Sequence, residues 1–135
     1  DNIPSDEKSS VLCEGEEFVY YTARKGEQVV GYAIETSTSK GFSGTIKMMV
    51  GFNTNGDIVS ISVLSHSETP GLGAKMTEPS FVSQFEGKNP ASFKLAVKKD
   101  GGDIDAITAS TITSRAYADA VQKACNAFNL IVANN

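Results

Sequence analysis

Apolar and polar residues alternate in the first third of the chain, and this period of two predicts β-strands. Residues 17–24 and 28–35 show the pattern on either side of a Lys-Gly-Glu step at residues 25–27, which predicts a hairpin. The following residues, 36–44, are rich in Ser, Thr and Gly and are expected to form a loop.

A second hairpin is predicted further along the chain. Residues 45–52 and 58–65 have strand-like patterns, and residues 53–57 between them contain an Asn-Gly step that favours the positive φ of a hairpin turn. Residues 93–98 alternate apolar side chains with lysines, which predicts one more half-buried strand, ended by an Asp-Gly-Gly turn.

Two helices are indicated by apolar residues at helical spacing. Residues 78–85 predict a short helix that ends before Gly87. A longer helix is predicted from Thr113 onward. Its apolar face contains Ala116, Tyr117, Ala120, Val121, Ala124, Cys125 and Phe128. The fold predicted from these elements is α+β, a twisted antiparallel sheet with helices packed on one side, in a single domain.

Composition agrees with one small folded unit. A chain of 135 residues with 40% hydrophobic content can bury one core, and it has no room for a second. The formal net charge of −4 disfavours nucleic acid as a partner, because a nucleic-acid-binding domain needs a basic surface. The one local basic concentration, within residues 94–99, is typical of a solvated strand and turn.

Cysteine and histidine usage gives no metal site. Cys13 and Cys125 lack zinc-like or Cys-x-x-Cys spacing, and a disulfide between them and two free buried thiols are both compatible with the sequence. His66 is the single histidine, which excludes a site built from several imidazoles and leaves a catalytic triad unsupported. We therefore expect His66 to flank a loop and not to perform acid–base chemistry.

A cluster of hydroxyl side chains precedes the long helix. Residues 108–114 contain five Ser and Thr residues. Helix entrances expose unpaired N–H groups and the positive end of the helix dipole, so the cluster indicates a site for a phosphate group. An ordinary helix N-cap is the alternative, because many Ser/Thr-rich entrances bind nothing.

A second motif lies at residues 68–73, with the sequence Glu-Thr-Pro-Gly-Leu-Gly. Pro70 and Gly71 suit the two central positions of a type II turn. The glycines on either side of Leu72 allow the backbone to approach a flat ring closely, and the leucine side chain is expected to cover one of its faces. A tight surface turn without a ligand is the alternative.

The two motifs, in this order, resemble those of the FMN-binding domain family. Residues 68–73 are similar to its loop, and Asp105, Thr108, Ala109, Ser110 and Thr111 match its flavin-attachment motif. The family usually has Gly where Ala109 stands and Ala where Ser110 stands. The resemblance implies that Thr111 carries FMN covalently through a phosphoester bond. The cofactor-binding residues that it implies are Glu68, Thr69, Gly71, Leu72, Gly73, Thr108, Ala109, Ser110 and Thr113.

The resemblance also implies a role. The resembled family members are electron-transfer subunits of an Rnf-type ion-translocating membrane complex, so the other membrane subunits are the expected partners. A carrier subunit of this kind is expected to have no catalytic residues and no stand-alone active site. A separate magnesium-dependent flavin transferase is expected to recognise Asp105, Thr108 and Thr111. The full-length protein would be membrane-anchored, with this domain on the extracytoplasmic (periplasmic) face. Residues 1–16 would then be a polar tether following a missing membrane anchor, and residues 17–135 the FMN-binding domain.

Some alternatives stay open at this point. The chain is also compatible with a noncovalent ligand-binding or interaction domain of the same fold without flavin, or with the FMN module of a soluble reductase. Glu68 is expected to brace the Pro-Gly turn through backbone N–H groups, although it could hydrogen-bond a ribityl hydroxyl. Lys75 is compatible with a contact to the cofactor and with plain solvent exposure.

Overall fold

A five-stranded antiparallel sheet is the framework of the protein in the computed structural model. The structure describes residues 8–41, 44–68, 73–89, 92–107 and 110–133. The strands are β1 (Lys8–Cys13), β2 (Glu16–Lys25), β3 (Gln28–Gly41), β4 (Gly44–Asn53) and β5 (Ile58–Ser65). Each strand pairs with its neighbour in sequence, so the sheet order is β1-β2-β3-β4-β5 and the topology is a simple meander.

The helices follow the sheet in sequence. They are α1 (Pro79–Val82) and α2 (Thr111–Ala133), with short 3₁₀ turns at Gly73–Thr77 and Lys98–Asp100. Helix α2 packs mainly on β3, in the middle of the sheet, and also contacts β1 and β4. The predicted α+β fold is therefore confirmed.

Both predicted hairpins are present. The turn between β2 and β3 contains Gly26 at a φ of +65°. In the turn between β4 and β5, the side-chain Oδ1 of Asn53 accepts hydrogen bonds from the main-chain N–H groups of Asn55 (2.9 Å) and Asp57 (3.0 Å). Gly56 in the same turn has a φ of +89°, the left-handed conformation that an Asn-Gly step favours.

The predicted loop at residues 36–44 is wrong over most of its length, because β3 continues to Gly41. Thr36 and Thr38 are buried on the sheet face that α2 covers. The Thr36 hydroxyl donates a hydrogen bond to the carbonyl oxygen of Ala120 at 2.9 Å, and the Thr38 hydroxyl donates to the Asp119 carboxylate at 3.3 Å. The strand alternation is present here, but hydroxyl side chains replace the apolar ones that would have revealed it. Residues 42 and 43 lie outside the described part.

The predicted strand at residues 93–98 is also wrong. Leu95 and Val97 are buried, as the alternation suggested, but the segment makes only an isolated parallel bridge, between Val97 and Ile104. The Lys94 N–H donates to the Asp103 carboxylate at 2.8 Å, and the Lys94 carbonyl accepts from the Asp103 N–H at 3.1 Å. These backbone groups are satisfied within a compact turn, so they do not extend the sheet.

The boundaries of the other elements differ from those predicted. Lys8–Cys13, assigned from sequence to a polar tether, pairs with β2 as an edge strand, with Lys8 opposite Tyr21. Helix α1 is only four residues long, although Phe81 and Phe85 are both buried as predicted. Helix α2 begins two residues earlier than predicted.

The core lies between the sheet and α2. The rings of Phe52 on β4 and Phe128 on α2 stack with centroids 4.9 Å apart. At the other end, Tyr117 contacts Phe81 and Phe85 at centroid distances of 4.9 and 5.0 Å. The small buried residues on the inner face of α2 allow a close approach to the sheet. They are Ala116, Ala120, Ala124 and Ala127.

Tyr117 is fully buried, and its hydroxyl has no hydrogen-bond partner in the part of the chain that the structure describes. Burial, and then the negative charge of Glu86, raise the pKa of Tyr117 above its ordinary value.

We predict that Tyr117→Phe increases the free energy of unfolding by about 1 kcal/mol, because it removes an unpaired buried hydroxyl and keeps the ring contacts. Urea denaturation at neutral pH measures the change. A loss of stability of similar size would show instead that the hydroxyl has a partner, such as a buried water molecule.

Cys13 and Cys125 are both free and buried. Burial raises the pKa of Cys125 to about 12, from an ordinary value of 9.0. Burial, followed by the charges of Glu14 and Glu16, also raises the pKa of Cys13. A raised pKa means that the folded protein keeps the thiol proton at a pH where the unfolded chain has lost it.

The Cys125 contribution to stability should therefore be complete below pH 9.0 and decline as the pH rises toward about 12. At about pH 10 the loss should be roughly 1.4 kcal/mol. Urea denaturation of wild type and Cys125→Ala, at neutral pH and in this alkaline range, isolates the effect. The stability difference between the two proteins should shrink in alkali, and a constant difference would contradict the prediction.

Candidate functional site

The entrance of α2 is built by hydroxyl groups that bond to the backbone. The Ser114 hydroxyl donates to the Ser110 carbonyl and accepts from the Ile107 N–H, both at 2.9 Å. The Ser110 N–H in turn donates to the Ile107 carbonyl at 2.9 Å. These three bonds join the approach segment to the first turn of the helix, so Thr111 begins α2 in a defined position.

The hydroxyl side chains of the helix entrance differ in exposure. The exposed fractions of Ser110, Thr113 and Ser114 are 8%, 2% and 0%, whereas Thr111 is only half-buried. Of the described hydroxyls predicted to lie at this entrance, Thr111 is thus the accessible one.

A hydrogen bond between side chains joins the two sequence motifs. The Thr113 hydroxyl donates to Oε1 of the buried Glu68 carboxylate at 2.5 Å. Both side chains are buried, so the bond forms away from solvent. The loop after β5 and the entrance of α2, which are 45 residues apart in sequence, are therefore held together.

Gly73 allows this contact. A Cβ atom at this position would lie 2.6 Å from Oγ1 of Thr113 and 2.9 Å from Cβ of Glu68, closer than side chains normally approach. The last glycine of the loop motif is therefore needed where the loop crosses the helix.

His66 stabilises the start of the same loop. Its Nδ1 accepts a hydrogen bond from the Glu68 N–H at 3.0 Å, and the ring is half-buried. This places His66 beside the loop, where the sequence had put it. Glu68 was predicted to brace the turn through backbone N–H groups, and this stays a prediction. The structure shows the Thr113 hydroxyl as a donor to its carboxylate.

Asp105 lies on the surface at the start of the attachment motif. Its carboxylate forms an ion pair with Nζ of Lys98 at 2.8 Å, and this hydrogen bond raises the pKa of Lys98. Its main chain bonds to the carboxamide of Gln84, with Nε2 donating to the Asp105 carbonyl at 3.0 Å and Oε1 accepting from the N–H at 2.6 Å. Sequence reasoning missed Gln84, because a single glutamine 21 residues upstream carries no signal for this contact.

An open pocket of about 280 Å³ lies beside Asp105. Its lining residues are Lys75, Glu78, Ser80, Phe81, Gln84, Asp105, Ala106 and Ile107. Lys75 is solvent-exposed and lines the same pocket as Asp105.

Several predicted cofactor-binding residues lie outside the described part of the chain. They are Thr69, Gly71 and Leu72, together with Pro70 between them, and Thr108 and Ala109. Among the residues that are described, no three His, Cys, Asp or Glu side chains are arranged to hold a metal ion. No helix in the same ranges combines the length and hydropathy that crossing a bilayer requires.

Comparison with known proteins decides the family. The sequence model of the FMN-binding domain matches residues 41–126, which include both motifs, strands β4 and β5 and most of α2. The chain belongs to the FMN-binding domain family. This confirms the assignment made from the two motifs and supports FMN as the cofactor.

Two curated relatives are subunits of the same kind of complex. The chain is 44% identical over 114 residues to the G subunit of the ion-translocating oxidoreductase complex of Shewanella baltica, covering 81% of this chain and 54% of that protein. It is 43% identical over 108 residues to the corresponding protein of Erwinia tasmaniensis, covering 76% of this chain and 51% of that protein. The chain thus spans about half the length of these relatives.

A solved structure shares the fold. The crystal structure of Shewanella oneidensis NqrC superposes with a TM-score of 0.67, covering 97% of this chain and 71% of that one, at 19% sequence identity. The sheet and its packed helix are therefore an architecture also found in NqrC.

The contact between Gly73 and Thr113 can be tested by a double-mutant cycle. We predict that Gly73→Ala costs about 1–3 kcal/mol of unfolding free energy, because the new methyl group forces the loop away from α2. Thr113→Ala should cost a similar amount through the lost bond to the buried Glu68.

The double variant should be more stable than the sum of the two costs predicts, because removing the Thr113 side chain makes room for the new methyl group. Urea denaturation of the four proteins measures this coupling. Additive costs would show that Gly73 and Thr113 do not restrict each other.

Proposed function

We propose that the chain carries FMN covalently on Thr111 and serves as the electron-transfer domain of the G subunit in an Rnf-type ion-translocating oxidoreductase complex. The observation that carries this proposal is the accessibility of Thr111 at a helix entrance that the Glu68–Thr113 bond joins to the Glu68–Gly73 loop. The curated relatives from Shewanella baltica and Erwinia tasmaniensis support the assignment to the complex.

The residues present fit a phosphate ester at Thr111. This residue is the first of a 23-residue helix, and the N–H groups of a first helical turn lack partners within the helix. These donors and the positive end of the helix dipole stabilise the negative charge of a phosphodiester. The side chain of Thr111 is only half-buried, so an enzyme can reach it.

The neighbouring hydroxyls are occupied in other ways. Thr113 donates to Glu68, and Ser114 both donates to Ser110 and accepts from Ile107. Ser110 is buried. Thr113 and Ser110 therefore contribute to the site by shaping the helix entrance, which leaves Thr111 as the acceptor among the described hydroxyls.

The loop that ends at Gly73 is proposed to border the isoalloxazine ring. Glu68 and Gly73, at its two ends, both contact Thr113, two residues after the proposed attachment point. Thr69, Gly71 and Leu72 between them are proposed to line the ring, and Thr108 and Ala109 the phosphate. Bound FMN supplies one-electron transfer, and the chain's part is to hold it and restrict its access to water.

Attachment requires a second enzyme, because a threonine hydroxyl is a poor nucleophile without a base. In the proposed reaction the Thr111 oxygen forms a bond to the FMN phosphorus of FAD, the pyrophosphate bond breaks and AMP leaves. The hydroxyl proton passes to a base on a magnesium-dependent flavin transferase. Asp105, Thr108 and Thr111 are the residues proposed for its recognition.

The proposed complex determines the location. We propose that the full-length protein is anchored to the membrane by a segment preceding the sheet, with this domain on the periplasmic face and in contact with the other subunits. Protease treatment of intact and of permeabilised spheroplasts tests the side. Digestion of the domain only after permeabilisation would place it on the cytoplasmic side instead.

Thr111→Ala tests the attachment. Wild-type chain coexpressed with a flavin transferase should gain the mass of FMN less one water, and it should fluoresce on a denaturing gel. Thr111→Ala should do neither, because no other described hydroxyl of the helix entrance is accessible. Ser110→Ala, which introduces the residue usual in the family, should still become labelled.

Two results would contradict the proposal. Flavin that remains bound to Thr111→Ala in denaturant would place the ester on another residue. Wild type that binds FMN reversibly, or not at all, would favour a noncovalent FMN module or an interaction domain of the same fold.

A further inference from the structure

The backbone at the start of the attachment motif is held by one side chain from outside the motif. Nε2 of Gln84 donates to the Asp105 carbonyl at 3.0 Å, and Oε1 of Gln84 accepts from the Asp105 N–H at 2.6 Å. A carboxamide that bonds both groups of one residue imitates the pairing of a neighbouring β-strand. It fixes the position of Asp105 and limits its rotation.

The following residues are fixed from the other side. The Ile107 N–H donates to the Ser114 hydroxyl, and the Ile107 carbonyl accepts from Ser110. The Asp105 side chain is 71% exposed, and its carboxylate forms an ion pair with Lys98. The approach to Thr111 is thus bonded to the α1 region at one end and to α2 at the other.

Gln84 does not belong to the core. It is half-buried and follows the end of α1, between Phe81 and Phe85, which provide the buried contacts of this region. Its two bonds to Asp105 join the segment after α1 to the attachment motif. Ordering a segment before binding removes an entropy cost that a partner would otherwise meet.

We propose that Gln84 is a positioning residue for flavin attachment. It holds Asp105 in the place where a flavin transferase can engage the carboxylate while Thr111 reaches the reacting phosphorus. This inference rests on the proposed function, and it adds a residue outside the recognised motif to the determinants of the reaction.

Gln84→Met tests the proposal, because methionine keeps the length of the side chain and removes its donor and acceptor. The 135-residue chain is incubated with flavin transferase, FAD and Mg²⁺, and the rate of covalent labelling is measured as a function of chain concentration. We expect kcat/KM to fall about tenfold, mainly through a higher KM for the chain, because two hydrogen bonds are lost.

Gln122→Met is the matched control. Nε2 of Gln122 donates to Asn126 at 3.1 Å within α2, away from Asp105. This variant makes the same substitution and loses one hydrogen bond donated by a carboxamide, and its labelling rate should equal that of wild type. Gln84→Glu keeps the acceptor for the Asp105 N–H and loses the donor, so its rate should lie between those of wild type and Gln84→Met.

Amide hydrogen exchange separates positioning from general stability. Exchange at the Asp105 N–H should accelerate in Gln84→Met, while exchange in β3 and α2 and the melting temperature stay close to wild type. If Gln84→Met is labelled at a rate within about twofold of wild type, the role of Gln84 is overturned and the proposed function is not. Failure of wild type to become labelled would overturn the proposed function, and this inference with it.

Discussion

The close packing of α2 on β3 is the contact on which the rest of the molecule depends. Alanines on the inner face bring the helix near enough for the Thr36 hydroxyl to reach the main-chain carbonyl of Ala120 at 2.9 Å. This bond and the stacking of Phe128 on Phe52 restrict sliding of the helix along the sheet. Because the helix is fixed, its first turn is fixed as well, and Thr113 in that turn bonds Glu68 in the segment that follows β5.

The hydroxyl-rich entrance of α2 shows how similar side chains divide between two tasks. Those that point inward satisfy buried polar groups: Ser114 bonds the backbone of Ile107 and Ser110, and Thr113 bonds the carboxylate of Glu68. Thr111 remains accessible to a second protein. The helix entrance is thus held by hydrogen bonds on its inner side and leaves Thr111 partly exposed on its outer side, as the proposed attachment of FMN by another enzyme requires.

Most of the fold could be predicted from local patterns, and the errors have specific causes. Both hairpins follow from turn chemistry that acts within a few residues, as at Asn53 and Gly56. The extension of β3 was missed because its buried positions hold Thr36 and Thr38. In the segment at residues 93–98 the burial was predicted correctly and the strand was not, because the N–H and carbonyl of Lys94 bond to Asp103 and not to a neighbouring strand. No local pattern encodes which partner a polar group will find.

The sequence by itself determined the two hairpins, the long helix, the two motifs and the family, because each is recorded in neighbouring residues or in short ordered segments. Only the tertiary structure decided which hydroxyl is accessible, that Glu68 bonds Thr113, and that Gln84 holds Asp105. Those contacts join residues 21 to 45 positions apart. They exist because packing of the helix brings the start of α2 close to the segments that follow β5 and α1. Periodicity along the chain carries no information about how close these segments lie.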